Sequence, residues 1–417
     1  MGDPNLNIIE NIISASKDAE FYLSEDVYDQ AGNKLLGKGY KITTEIKDKL
    51  ISRVLKKPFE TSISSDSSLT TDNIFADTEE VIKKTLFLQS FNPELKLDLY
   101  EIKHLEISPL ASLLLTLQKS NFKDAYDHSL FMMLIARLIA KKLNYDSGQI
   151  YDLTIASLLH DIGELYCPIP NTSDLSLENW RIIMTHPIVG STVVKQHMNY
   201  SESVSKAILE HHERIDGSGY PNHLLAGESS DIGKVLIVAE AFSGIVRRNY
   251  DINNIITNLK LINHDFPTKQ FNALIYILNS VRVNNHSTFT NPIMDNLLDQ
   301  LKNIEEIIEL LNAIKTNHDS LKDLTEYLTL RLRRICQSVY ASGLANYNNS
   351  DLWDDLKEDA EFNRELYITI NEVQWKMKDV YRDISIRLIK EDLQISDELN
   401  LIINKIKDGE NSQLTPS

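Results

Sequence analysis

The residues able to do chemistry recur at the ends and on the faces of successive helical segments. His211-His212-Glu213-Arg214-Ile215-Asp216-Gly217-Ser218-Gly219-Tyr220-Pro221 joins two imidazoles and a carboxylate to a short loop. Imidazole and carboxylate are the usual ligands of iron, manganese or zinc. The glycines open backbone conformations closed to other residues, and the proline fixes where the loop ends. Taken alone, a histidine pair reads as a surface pair or as satisfied core residues. This pair has company upstream. Leu158-Leu159-His160-Asp161 interrupts an apolar helix with a histidine and an aspartate. An unpaired charge is costly there, and a metal ion satisfies both side chains at once. The two oxygens of an aspartate can also bridge two metals. Asp124 and His128 stack on one helix face at i, i+4, although a capping aspartate and an ordinary helix histidine would look the same. His186 precedes Pro187 at the start of another helix, and Glu240 lies in the apolar run Val235 to Ala241. Five histidines with several carboxylates exceed what one ion needs, and two or three ions fit the count. The other six histidines read as surface residues.

The elements that must position these groups are mainly helical. Residues 73–284 show helical periodicity throughout. Pro109 opens a helix whose face is Leu110, Leu113, Leu114 and Leu117. The next helix carries Leu130, Met133, Leu134, Leu138 and Ile139 at core spacing. Residues 1–72 differ. Short apolar runs broken by glycine predict two or three strands, Thr43 to Leu55 reads as a helix with Thr43 or Thr44 as N-cap, and 61–72 has the Ser/Thr/Asp composition of a linker or loop. Residues 285–417 carry no readable chemistry. Two heptad-like seams, Met294-Leu297-Leu301-Ile304-Ile308-Leu311 and Leu366-Ile370-Val373-Met377-Val380-Ile384, predict a C-terminal helical bundle. Asn346 to Ser350 reads as a turn between its long helices, and Leu414 to Ser417 as a frayed tail.

Composition sets the outer bounds. The chain has 417 residues, 42% hydrophobic and 25% charged, which is the balance of a folded globular protein. A net charge of -17 argues against DNA binding, which needs a basic face, but not against a small phosphate ligand held through metal ions. Cys167 and Cys336 have no metal-motif spacing. No signal-peptide core opens the chain, and Leu130 to Leu143 is too short and too charged for a membrane span, so a cytoplasmic protein with no membrane contact is expected.

The ordered set His128, His160-Asp161, His186-Pro187, His211-His212-Glu213 and Asp216-Gly217-Ser218-Gly219-Tyr220-Pro221 resembles the HD-GYP family, a branch of the HD superfamily of metal-dependent phosphohydrolases. The resemblance covers about 75 to 282. It implies an all-α domain with two or three divalent ions, usually iron or manganese. It also implies hydrolysis of cyclic di-GMP to pGpG or GMP by a metal-activated hydroxide. His128, His160, Asp161, His186, His211 and His212 correspond to metal ligands, and Asp124 to a carboxylate of three-metal members. His160 and Asp161 form the catalytic pair. Gly217, Gly219, Tyr220 and Pro221 form the loop beside the substrate.

Three features depart from the family pattern. Glu164 stands where the family has a lysine near the phosphate. Two unit charges ~4 Å apart interact by ~4 kcal/mol at an effective dielectric of ~20, so exchanging attraction for repulsion alters the substrate wall substantially. Glu240 replaces an aspartate and can still ligate with a longer reach. Arg247 and Arg248 lie near, but out of register with, a basic phosphate-holding segment. Three readings follow: a cyclic di-GMP phosphodiesterase, a degenerate HD-GYP protein that binds metal and a nucleotide or protein partner without turnover, or a phosphohydrolase for another nucleotide. The C-terminal helices are expected to serve as an interaction or homodimerisation module.

Overall fold

The computed structural model describes residues 4–51, 53–89, 99–168, 177–248, 252–279, 294–314, 319–344, 359–390 and 396–408. The segments 346–350 and 414–417 lie outside them. The chain is mainly α-helical, with only two small antiparallel strand pairs among the described residues. It divides into two compact units. The first comprises Met1–Gly244 and Phe266–Val281, the second Ile245–Asp265 and Arg282–Ser417. No helix among the described residues is long and apolar enough to cross a membrane.

In the first unit the strands are as short as the glycine-broken runs imply. Tyr22–Leu23 pairs with Ile63–Ser64, and Val27–Tyr28 with Lys34–Leu36. Three features differ from the sequence expectation. A helix, Pro4–Ala15, precedes the strands and buries Ile8, Ile9, Ile12 and Ile13 on one side. The helix expected over 43–55 is only a 3₁₀ turn, Thr44–Ile46, and one short helix, Lys47–Ile51. Thr43 precedes that turn but makes no side-chain cap hydrogen bond. The stretch 61–72 is not a free linker. Leu69 N–H donates to Thr116 Oγ1 at 2.8 Å, Ser112 Oγ donates to Leu69 O at 2.5 Å, and Thr70 forms a capping box with Asn73 that starts the helix Thr71–Lys84. Backbone groups that pair with a packed helix lose their freedom, whatever the composition around them.

Behind the site, Ser108 caps the helix Pro109–Asn121 by accepting from Ala111 N–H, with proline in its first turn. Lys123–Lys142 runs through the middle of the unit. Every residue from His128 to Ala140 is buried, so this helix is apolar all round rather than amphipathic. Its buried Arg137 is neutralised by Glu101 at 2.5 Å and donates to Thr154 Oγ1 at 2.7 Å. Ser147–Leu159, started by an Asp146–Gln149 capping box, packs beside it and ends at His160.

The second unit is a helical bundle of Ile252–Ile262, Met294–Ala313, Asp319–Ser342, Ala360–Lys390 and Asp397–Asp408. Both heptad-like seams face its interior: Leu297, Leu301, Ile304, Leu311, Leu366, Ile370, Val373, Val380 and Ile384 belong to one buried cluster, with Ile308 packed against it. Residues 245–265 cluster here rather than with the helices that precede them. Lys376 Nζ reaches Asp265 Oδ2 at 3.0 Å, and Arg364 reaches Asn254 Oδ1 at 3.2 Å. Arg331 is held between Asp379 at 2.8 Å and Asp383 at 3.1 Å.

Candidate metal centre

Each helix that ends or starts at the site delivers its side chain by a different local device. His160 terminates Ser147–Leu159 and Asp161 follows in a turn, before the 3₁₀ segment Ile162–Tyr166. His186 begins the helix His186–His197 with Pro187 behind it. His211 and His212 follow Glu202–Glu210, His128 projects from Lys123–Lys142, and Glu240 from Asp231–Arg248. The 3₁₀ segment comes closest to the His186 helix backbone at Gly163. A Cβ on Gly163 would lie 2.0 Å from His186 O and 2.8 Å from Gly190 N.

The side chains converge on Asp161, whose two oxygens face two different groups. Oδ1 lies 3.3 Å from His186 Nε2 and 3.5 Å from His211 Nε2. Oδ2 lies 3.0 Å from His160 Nε2 and 3.7 Å from His128 Nε2. Glu240 Oε2 closes the second group, 3.0 Å from His128 Nε2 and 3.7 Å from His160 Nε2. Asp161, His186, His211 and His212 therefore form one set of convergent ligand atoms, and His128, His160 and Glu240 another.

The histidine tautomers test whether this donor set suits metal ions. A carbonyl oxygen can only accept, so Nδ1 of His160, His186 and His211 must each donate, to Ser157 O at 2.9 Å, Ile183 O at 2.6 Å and Ile208 O at 2.6 Å. In the neutral ring that leaves Nε2 with a bare lone pair. The Nε2 atoms of His186 and His211 sit 3.2 Å apart and aim at the same carboxylate oxygen. Lone pairs so placed need a cation between them, and a ring fixed by an outer hydrogen bond is how proteins present imidazole to a metal.

At Asp161, Glu240, His211 and His212 the electrostatics agree, while His160 and His186 are drawn toward their protonated forms by Asp161, which a cation would replace. Burial works against the Asp161 carboxylate, but the charge of His160 and bonds from three imidazoles hold its pKa well below the usual range. Burial likewise opposes Glu240, and His128 brings it below normal. Burial and neighbouring imidazoles push His211 down and His212 well down, which keeps them neutral. Burial also disfavours charge on His160, yet Asp161 carries it up to about 9. His186 is raised too, its burial outweighed by Asp161. Ionised carboxylates and neutral imidazoles are the forms that ligate.

The glycine-tyrosine-proline loop is folded by a carboxylate. Buried Glu213 accepts from Asn222 N–H at 2.6 Å and Leu224 N–H at 2.9 Å. Gly217 adopts a left-handed φ of 77°, and a Cβ on Gly219 would lie 2.3 Å from Arg214 N. Tyr220, which precedes Pro221 across a cis bond, stacks on His212.

The remaining predicted positions divide. Asp124 is exposed in the first turn of its helix and belongs to neither ligand set. Glu164 also belongs to neither, but feels both. Its carboxyl is pushed up to about 7, by burial first and then by the charge of Asp161. Arg247 is exposed, and only the backbone of Arg248 is described. Sequence reasoning missed Ser243, whose Oγ meets His128 Nδ1 at 2.9 Å. Its spacing of three from Glu240, on one helix face, was the available signal. It also missed Trp180, which meets Tyr220 edge to face. Trp180 stands six residues before His186, a separation that carries no spatial meaning until the helices pack.

Residues 109–262 match the family of the HD domain. Within the chain, these residues form an HD domain. Its histidine and aspartate ligand sets and its glycine-tyrosine-proline loop make this an HD-GYP domain. Among known proteins, the chain is 26% identical over 175 residues to the cyclic di-GMP phosphodiesterase PA4108 of Pseudomonas aeruginosa, covering 40% of this chain and 42% of that one. It is 27% identical over 173 residues to a cyclic di-GMP phosphodiesterase of Thermotoga maritima, covering 40% and 46%. It is 31% identical over 100 residues to the 3'3'-cGAMP-specific phosphodiesterase 2 of Vibrio cholerae, covering 23% and 19%. The chain thus spans less than half the length of these relatives.

Proposed function

We propose that the protein is a metal-dependent cyclic dinucleotide phosphodiesterase that cleaves cyclic di-GMP to pGpG, GMP or both. The observation that carries this reading is the division of the two Asp161 oxygens between two imidazole sets. One divalent ion, iron or manganese, would be held by Asp161, His186, His211 and His212, and a second by Asp161, His128, His160 and Glu240. Paired ions in such a site polarise a phosphoryl group, lower the pKa of water and neutralise developing charge. The chain's own residues do the rest. The three backbone-anchored imidazoles and Asp161 fix where the ions stand. The loop of Gly217, Gly219, Tyr220 and Pro221 walls the space beside His212. Asp124 is the candidate carboxylate for a third ion. The relatives named for cyclic di-GMP and for 3'3'-cGAMP support a cyclic dinucleotide as the substrate class.

A second reading has one specific observation behind it. Glu164 puts a carboxyl, raised to about 7 by burial and Asp161, where a phosphate-binding cation is expected. A regulator that binds metal and a nucleotide or a protein without turnover fits that wall. In either reading the C-terminal helices are the candidate surface for a protein partner or a second copy.

The test is anaerobic loading with ferrous iron or manganese, addition of cyclic di-GMP, and chromatography of the products. Formation of pGpG or GMP, lost in a folded His160→Ala, Asp161→Ala variant, establishes the enzyme. Intact substrate with metal bound favours the regulator.

A further inference from the structure

His212 differs from the other imidazoles of the centre in what holds its ring. His160, His186 and His211 each donate Nδ1–H to a carbonyl three residues earlier, and His128 Nδ1 meets Ser243 Oγ. The His212 side chain makes no hydrogen bond to the described residues. Its ring is packed among other rings instead. Tyr220 stacks on it with centroids 4.6 Å apart and planes 23° apart, and His186 meets it edge-on at 5.1 Å. Tyr220 in turn meets Trp180 at 5.8 Å and 75°, an edge-to-face contact. Both partners are themselves tied to the site. Tyr220 N–H donates to His212 O at 3.1 Å, and Met184 N–H donates to Trp180 O at 2.9 Å in the turn leading into His186.

We propose that Trp180 is a positioning residue for His212, acting through the ring of Tyr220. The aromatic pair does for this one imidazole what an outer hydrogen bond does for the others: it sets the ring plane and so the direction of the free nitrogen. Without an anchored Nδ1, nothing else among the described contacts resists rotation of the ring about its Cβ–Cγ bond except packing. The stacked face of Tyr220 restricts that rotation more than the edge-on His186 or the tilted His211, whose centroid lies 4.1 Å away. The inference rests on the metal-centre reading and extends it to a residue that belongs to neither ligand set.

The consequence is site-selective. Tyr220 abuts the set of Asp161, His186, His211 and His212 through the rings of His186 and His212, and Trp180 abuts Tyr220. Manganese binding to the full chain is measured by equilibrium dialysis with metal analysis, for wild type and for Trp180→Leu, Tyr220→Leu and Tyr220→Phe. Trp180→Leu and Tyr220→Leu are expected to weaken one class of site by about 10–100-fold, the range for loss of an orienting partner, and to leave the other within about twofold. Tyr220→Phe keeps the ring and is expected to bind as wild type. The metal-free melting temperatures of the leucine variants should stay near that of wild type. Wild-type affinity in Trp180→Leu overturns the proposal. So does a loss shared by both classes and accompanied by a lower metal-free melting temperature, because that is a general packing defect. Absence of manganese binding by wild type itself overturns the metal-centre reading instead.

Discussion

Gly163 offers the sharpest perturbation of the centre that leaves every ligand in place. It lies two residues after Asp161, where the 3₁₀ segment crosses the helix that begins at His186. A methyl group there would sit 2.0 Å from His186 O, 2.8 Å from Gly190 N and 2.9 Å from His186 C. Ordinary van der Waals contact begins near 3.4 Å, so the two backbones must part by about 1.4 Å. Backbone cannot rotate away as a side chain can. Overpacking of this kind typically costs about 1–3 kcal/mol. For a unit of this size each kcal/mol is worth about 2–4 °C in melting temperature. The same displacement separates Asp161 from His186, which are 3.3 Å apart, and so spoils one ligand set. Gly163→Ala should therefore lower the metal-free melting temperature by several degrees and weaken metal binding by ~10-fold or more. Gly190→Ala is the control on the opposite side of the contact. Its Cβ meets Gly163 N at 3.3 Å and Ile208 Cγ2 at 3.4 Å, which small adjustments relieve, so its effect should be less than half as large. Thermal melts and manganese dialysis of the two variants settle the matter. If Gly163→Ala melts and binds as wild type, or if Gly190→Ala is the worse of the two, the close-approach argument is wrong.

Three further outcomes follow from single observations. Ser243→Ala removes the Nδ1 partner of His128 and should reduce metal affinity by about 10-fold with little change in metal-free stability, read by dialysis and melting. Glu60 is buried, with one oxygen accepting from Tyr166 O–H at 2.9 Å and the other without a partner, and burial raises its pKa. A raised folded-state pKa gives stability that is full below the ordinary carboxylate range and lost as pH rises through the raised value. Glu60→Gln should flatten that part of the pH profile, and denaturant unfolding at pH 4 to 8 in which both proteins lose stability in parallel would count against it. Arg331→Met takes the shared guanidinium from Asp379 and Asp383, which keep Arg382 and Arg387, and should destabilise the second unit by about 1–3 kcal/mol in equilibrium unfolding. A change of less than about 1 kcal/mol would mean the pair is effectively solvated.

The relation between sequence and structure is uneven in an instructive way. Ligand chemistry was legible because it is written in residue types. Imidazoles and carboxylates inside apolar helices demand a partner wherever they fold, and His128, His160, Asp161, His186, His211, His212 and Glu240 do converge. The C-terminal seams were legible for a similar reason, since a 3–4 spacing of apolar residues has one buried face. The helix Pro4–Ala15 was not, although Ile8, Ile9, Ile12 and Ile13 have helical spacing. Its polar flank of asparagines obscured it, and two of them, Asn7 and Asn11, donate to Tyr166 O and Leu165 O, partners more than 150 residues away.

What the sequence alone determined is therefore the inventory: helices with apolar faces, a set of ligand-forming side chains, and a loop whose glycines permit a tight fold. Tertiary structure decided the allocation. It split Asp161 between two sets, left Asp124 exposed, put Ser243 behind His128 and Trp180 against Tyr220, and drew residues 245–265 to the C-terminal helices. Periodicity is local and says which face of a helix is buried. Which groups meet across that face depends on distances between segments far apart in the chain, and only packing sets those distances.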